Sequence, residues 1–216
     1  MGGDGATAIE AATKLDAALT DETISQFPLL EPIKAAPYLA HATFSSPDAV
    51  LALKVPPKEH VLVSALALYA RALAHATLHD AENAQRDIDA IAALENTTDF
   101  TPYTEWYIPG KEIVQTARLV VTARLADAQG NLAAAAEAYE AAIAVEDSLS
   151  YMEPPYWYYP IRQSLGAIYL RQNKLDEAET TLRQSLLRLR GNGWALATLA
   201  EVYKQKGDEP AEQSAR

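Results

Sequence analysis

The chain has 216 residues, 49% of them hydrophobic, no cysteine and a formal net charge of −11. That length holds one large domain or a short array of repeats, with ample core material. The missing cysteines exclude disulfides, thiolate nucleophiles and cysteine zinc sites, and the acidic balance argues against nucleic acid or anionic lipid as a partner, since both need a basic face.

The opening "MGGDGATAIEAATKLDAAL" has neither a basic n-region nor an apolar h-region, so it does not read as a signal peptide. No charge-free apolar run of about 18 residues occurs, so membrane insertion is not expected. A soluble protein is expected, with cytoplasm and periplasm both open, because proteins of either compartment can lack cysteine.

Within residues 1–57, "DGATAIEAATKLDAAL" reads as an amphipathic helix with Ile9, Leu15 and Leu19 on its apolar side. Prolines at 28, 32, 37, 47, 56 and 57 then predict short helices broken by Pro37 and Pro47, before a long helix from about Glu59. No strand pattern of useful length appears, and the expected class is all-α.

Residues 58–216 carry an internal repeat. "RQSLGAIYLRQNKLDEAETTL" and "LATLAEVYKQKGDEPAEQ" superpose at an offset of 34, pairing Leu165 with Leu199, Gly166 with Ala200, Tyr169 with Tyr203 and Asn173 with Gly207. Upstream, "LVVTARLADAQGNLAAAAEAYEAAI" repeats the skeleton, with Gly130 at the turn and then Ala135 and Tyr139. A fourth copy has His79 at the turn, followed by Ala84 and Ile88. Gly130 to Asn173 spans 43 residues and His79 to Gly130 spans 51, so insertions near 147–159 and 96–112 separate the units.

The period and the L-G-x2-Y…A-x3-F order resemble the tetratricopeptide repeat, although Arg162 and Leu196 replace its first aromatic. The "EPPYWYYP", "RQSLG" and "NGWAL" elements, at Glu153–Pro160, Arg162–Gly166 and Asn192–Leu196, are similar to the C-terminal part of a bacterial tetratricopeptide-repeat family. Longer members of that family carry a His-Met-Pro-Ser-His stretch that this chain lacks. The resemblance implies a right-handed α-solenoid of antiparallel helix hairpins and a binding role, with no catalytic residue to carry over.

Both insertions are aromatic. The first holds Phe100, Tyr103, Trp106 and Tyr107, and the second Tyr151, Tyr156, Trp157, Tyr158 and Tyr159. Such rings pack against helix ends or form an aromatic edge for a partner. Consecutive side chains cannot all point inward, so Trp157 is expected to be buried with Tyr156 or Tyr158 left partly exposed. In the repeat register Tyr69, Arg124, Asp127, Gln163, Arg171, Trp194, Glu201 and Lys204 fall on the inner face of the first helices. Arg124, Gln163 and Arg171 could grip a peptide carboxylate or backbone there, with Trp194 as an apolar wall.

Other chemistry is thin. His75 and His79 stand four apart beside Asp80, with His41 and His60 upstream, but Ala76 occupies the place of the glutamate in H-E-x-x-H. Asp87, Asp89, Glu137, Glu140, Glu177 and Glu179 read as solvated faces of second helices. No nucleophile elbow or phosphate loop occurs, and no cofactor is implied. The expected function is a noncatalytic scaffold for a protein or peptide. The alternatives are a metal-binding or enzymatic accessory module at His75 and His79, and a self-association module.

Overall fold

Residues 4–215 are described by a computed structural model, and they form helices and connections with no strand. Caps and prolines cut the first sixty positions into short pieces. α1 (Gly5–Ala18) begins where Asp4 accepts the Thr7 amide, and α2 (Asp21–Gln26) where Thr20 accepts that of Thr23. A 3₁₀ turn (Pro28–Leu30) leads to α3 (Glu31–Lys34), α4 (Ala36–Phe44) and α5 (Pro47–Leu51). Pro37 and Pro47 begin helices here rather than breaking them, because a first-turn residue needs no amide donor.

Glu31 ties this segment to the rest of the chain. Its buried carboxylate accepts the Leu62 amide at 2.8 Å and the Tyr103 hydroxyl at 3.0 Å, with His60 Nδ1 3.8 Å away. Burial holds its pKa above the usual glutamate range. α4 and α5 also pack on the next helix, α6 (Val61–Thr77), so the irregular segment shares a core with the longer helices.

The remaining helices are α7 (Ala81–Thr97), the short α8 (Thr101–Thr104), α9 (Gly110–Ala128), α10 (Leu132–Ser148), α11 (Arg162–Arg171), α12 (Leu175–Arg188), α13 (Gly193–Lys206) and α14 (Glu209–Ala215). Four tight links join α6 to α7, α9 to α10, α11 to α12 and α13 to α14, and in each link one residue takes a left-handed backbone. These are His79 at φ 58°, Gly130 at 76°, Asn173 at 58° and Gly207 at 74°. The following amide reaches back five residues: Asp80 to His75, Asn131 to Ala126, Lys174 to Tyr169 and Asp208 to Tyr203, at 2.9–3.0 Å. That bonding is a Schellman helix end, and it turns each second helix back along its first. Asp80, Asn131 and Asp208 then cap the new helix with their side chains.

Neighbouring pairs pack in series: α6 and α7 on α9, α10 on α11, and α12 on α13. Partly buried ion pairs reinforce these contacts. Arg118 of α9 reaches Glu95 of α7 at 2.5 Å, and Arg162 of α11 donates to both Asp147 oxygens of α10, one of them at 2.9 Å. Gly166 sets the closeness of α11 and α12, since a Cβ there would lie 2.5 Å from Leu182 Cγ.

Candidate functional site

The second aromatic connection, residues 149–161, folds back across the molecule to α6. Trp157 is 4% exposed and meets the Tyr69 ring edge-on at 5.2 Å, while the Tyr158 and Tyr69 hydroxyls are 2.8 Å apart. Tyr158 remains 37% exposed, and Tyr156 and Tyr159 are half-buried. The Tyr156 hydroxyl donates to the Tyr107 carbonyl at 3.2 Å, so the two aromatic connections meet on one edge. Beside them Trp106 is exposed and packs edge-on against Phe27 at 6.1 Å.

Tyr139, Tyr159 and Tyr69 lie near Arg124 of α9. Arg124 is exposed and has no carboxylate at ion-pair distance among the described residues. Tyr139 of α10 is 1% exposed, and its hydroxyl lies beside Arg124 and Ser164 without hydrogen-bond geometry to either. The Tyr159 hydroxyl lies beside Ser164 and the Trp157 indole, whose buried Nε1 also makes no hydrogen bond among the described residues. Burial pushes the phenols of Tyr69, Tyr139, Tyr158 and Tyr159 upward, so they stay protonated near neutral pH. The result is one guanidinium near tyrosine hydroxyls, with no carboxylate at ion-pair distance among the described residues. Such a cluster offers hydrogen bonds and one positive charge.

The expected groove residues separate. Tyr69 is 1% exposed and does not line an open groove, because the chain's own Trp157 and Tyr158 cover it. Arg171 and Gln163 do not join Arg124: Arg171 pairs with Asp127, and Gln163 accepts the Asn192 amide at 2.5 Å. Both polar groups therefore find acceptors or donors within the chain. Glu201 and Lys204 face each other at 3.6 Å, and Trp194 stands 79% exposed at the start of α13. Of the expected gripping set, Arg124 alone keeps its charge unneutralised among the described residues.

Among the expected solvated carboxylates, Asp87 is instead buried, 3.5 Å from Arg71 Nε and 4.0 Å from His75 Nε2. Burial raises its pKa. The histidines go to different neighbours. His41 meets Ser45 at 2.8 Å, His60 lies between Asp21 and Glu31, His75 is 3.3 Å from Asp80, and His79 forms the α6–α7 turn. Among the described residues no group of three or more His, Cys, Asp or Glu could hold a metal ion, and no helix is long and apolar enough to cross a membrane.

The repeat register did not mark Tyr139, Tyr159 and Ser164 as members of a site. Tyr139 fills the repeat's aromatic position, where a phenylalanine would pack equally well, so its hydroxyl was the available signal. Nothing in the sequence distinguishes Ser164. No protein-family model matches the chain, and neither a curated protein nor a solved structure matches it.

Proposed function

We propose that the chain is a tetratricopeptide-type solenoid of antiparallel helix hairpins that serves as a noncatalytic scaffold for a protein or peptide. The four equivalent Schellman turns, the serial packing of helix pairs and the glycine contact between α11 and α12 support the architecture. The binding role rests on one observation above all. Arg124 is exposed and carries a positive charge that no described residue of this acidic chain neutralises. Trp194, exposed on a first helix farther along the array, supplies the apolar contact that peptide recognition commonly uses.

Selection from a random-peptide display library on the purified chain tests this reading. Enriched peptides should bind the native protein and lose about tenfold or more in affinity with Arg124→Gln or Trp194→Ala, a difference of ~1.4 kcal/mol or more. Peptides that bind both variants as well as they bind the native chain would count against this face.

A second reading, self-association, has its own observation. α12, α13 and α14 enclose an apolar groove of about 550 Å³, with Leu186, Leu196 and Leu199 in its lining and Leu187 81% exposed at its side. Exposed apolar surface of this kind marks association sites. Sedimentation velocity across a concentration series separates the readings: a dimer abolished by Leu187→Glu favours self-association, and a concentration-independent monomer favours the scaffold.

A further inference from the structure

We propose that the groove between α12, α13 and α14 receives an amphipathic α-helix of another protein, apolar on its buried face and acidic along one edge. The partner's class rests on the scaffold reading, and the groove adds a second face to it, apart from Arg124 on α9. The groove exists because α14 is short. Its 7 residues reach about 10 Å, whereas the second helices α10 and α12, with 17 and 14 residues, reach about 26 and 21 Å. α14 turns back along α13 at Gly207, so it covers the end of α13 near Tyr203 and leaves the beginning bare. Leu196 is only half-buried there, and across the groove Leu187 of α12 is 81% exposed. Leu186 and Leu187 on one side, with Leu196 and Leu199 on the other, form an apolar channel between two helices. A third helix packs into such a channel by its own apolar stripe.

Charge selects which helix. In a chain of net charge −11, the groove is lined by Arg183 and Arg190 and, among the described residues, by no Asp or Glu. Glu179 holds Arg183 at 2.9 Å, whereas Arg190 has no carboxylate at ion-pair distance among the described residues. Both arginines stand on the α12 side, so a helix in the groove meets them along one edge, where carboxylates complement them. A second copy of the chain is a poorer occupant. A two-fold contact between equal grooves sets each arginine pair against its duplicate, and like charges across an interface oppose association.

The probe is a fluorescein-labelled, hydrocarbon-stapled peptide of about 15 residues, long enough to hold a helix, with leucines on one stripe and glutamates beside it. A lysine counterpart and a scrambled peptide of the same composition serve as controls, and fluorescence anisotropy against the full chain reads binding. The glutamate peptide should bind and saturate, and the scrambled one should not. Leu187→Glu should weaken binding about tenfold or more, and Arg190→Glu about threefold or more. Both variants should keep the native melting temperature, since both side chains are exposed. Arg190→Glu should also narrow or reverse the preference for the glutamate peptide over the lysine one.

The groove assignment is overturned if the glutamate peptide fails to bind into the high micromolar range, or if the lysine or scrambled peptide binds as well. Native affinity in Leu187→Glu or Arg190→Glu overturns it too. So does a dimer that Leu187→Glu abolishes and the glutamate peptide does not displace, which would give the groove to a second copy. If display-selected peptides lose affinity with Arg124→Gln while no helix enters the groove, the scaffold reading stands and this site falls. Helix binding in the groove without any peptide that depends on Arg124 would keep this site and remove the Arg124 face.

Discussion

Replacing Gly166 with alanine adds one methyl group where two helices leave no room. The new Cβ would lie 2.5 Å from Leu182 Cγ and 2.6 Å from its Cδ2, and Leu182 is fully buried. Cγ is the branch point of leucine, so rotating the end of the side chain cannot clear the clash. Either Leu182 leaves its rotamer or α11 and α12 move apart. Overpacking of this kind typically costs about 1–3 kcal/mol. Alanine returns about 1 kcal/mol through its better helix propensity. The net expectation is a loss of about 0–2 kcal/mol, which in a chain of this size lowers the melting temperature by up to roughly 8 °C. Far-ultraviolet circular dichroism during thermal unfolding measures it. Leu182→Ala alone should cost about 2–5 kcal/mol through its cavity, and the double variant should cost less than the two singles together. A Gly166→Ala protein that melts clearly above the native temperature would refute the close contact.

Trp157→Ala should cost about 3–5 kcal/mol and Tyr158→Ala clearly less, because Trp157 is 4% exposed and Tyr158 is 37% exposed; chemical denaturation of the two variants checks the order. His79→Gly should raise the melting temperature, with a gain of a few tenths to about 1 kcal/mol, since glycine takes the φ of 58° without strain but adds freedom to the unfolded chain. Loss of stability on that exchange would give His79 a role beyond the turn. Glu31 has a folded-state pKa above its unfolded value, so folding favours its protonated form. Its contribution is fully present below the ordinary glutamate pKa and is lost as pH rises through the raised value. Urea unfolding of native and Glu31→Gln proteins at acidic and neutral pH should show the native chain losing ground to the variant as pH rises; the opposite drift would contradict the burial.

The elements that sequence made readable are those dictated by local chemistry. The turn positions His79, Gly130, Asn173 and Gly207 align by the repeat, and each takes a left-handed backbone. The helical class follows from apolar spacing and from capping residues such as Asp80, Asn131 and Asn192. The contacts that stayed hidden depend on residues far apart in the chain. Arg171 finds Asp127 from 44 positions away, and the Tyr103 hydroxyl reaches Glu31 across 72. Asp87 lies on the polar side of its helix pattern, yet Arg71 and His75 of α6 draw it into the interior. Tyr69 lost its groove role for the same reason, since only the folded chain brings Trp157 and Tyr158 back onto α6. The cluster around Arg124 combines α9, α10, α11 and the aromatic connection, a juxtaposition that no local pattern encodes.

Backbone amide chemical-shift mapping of a display-selected peptide on the isotope-labelled chain tests the binding face most directly. The perturbed amides should cluster on α9, α11 and α13, include the surroundings of Arg124 and Trp194, and spare the outer faces of α7 and α10. Perturbations confined to the groove between α12, α13 and α14, or spread without reference to Arg124, would contradict it.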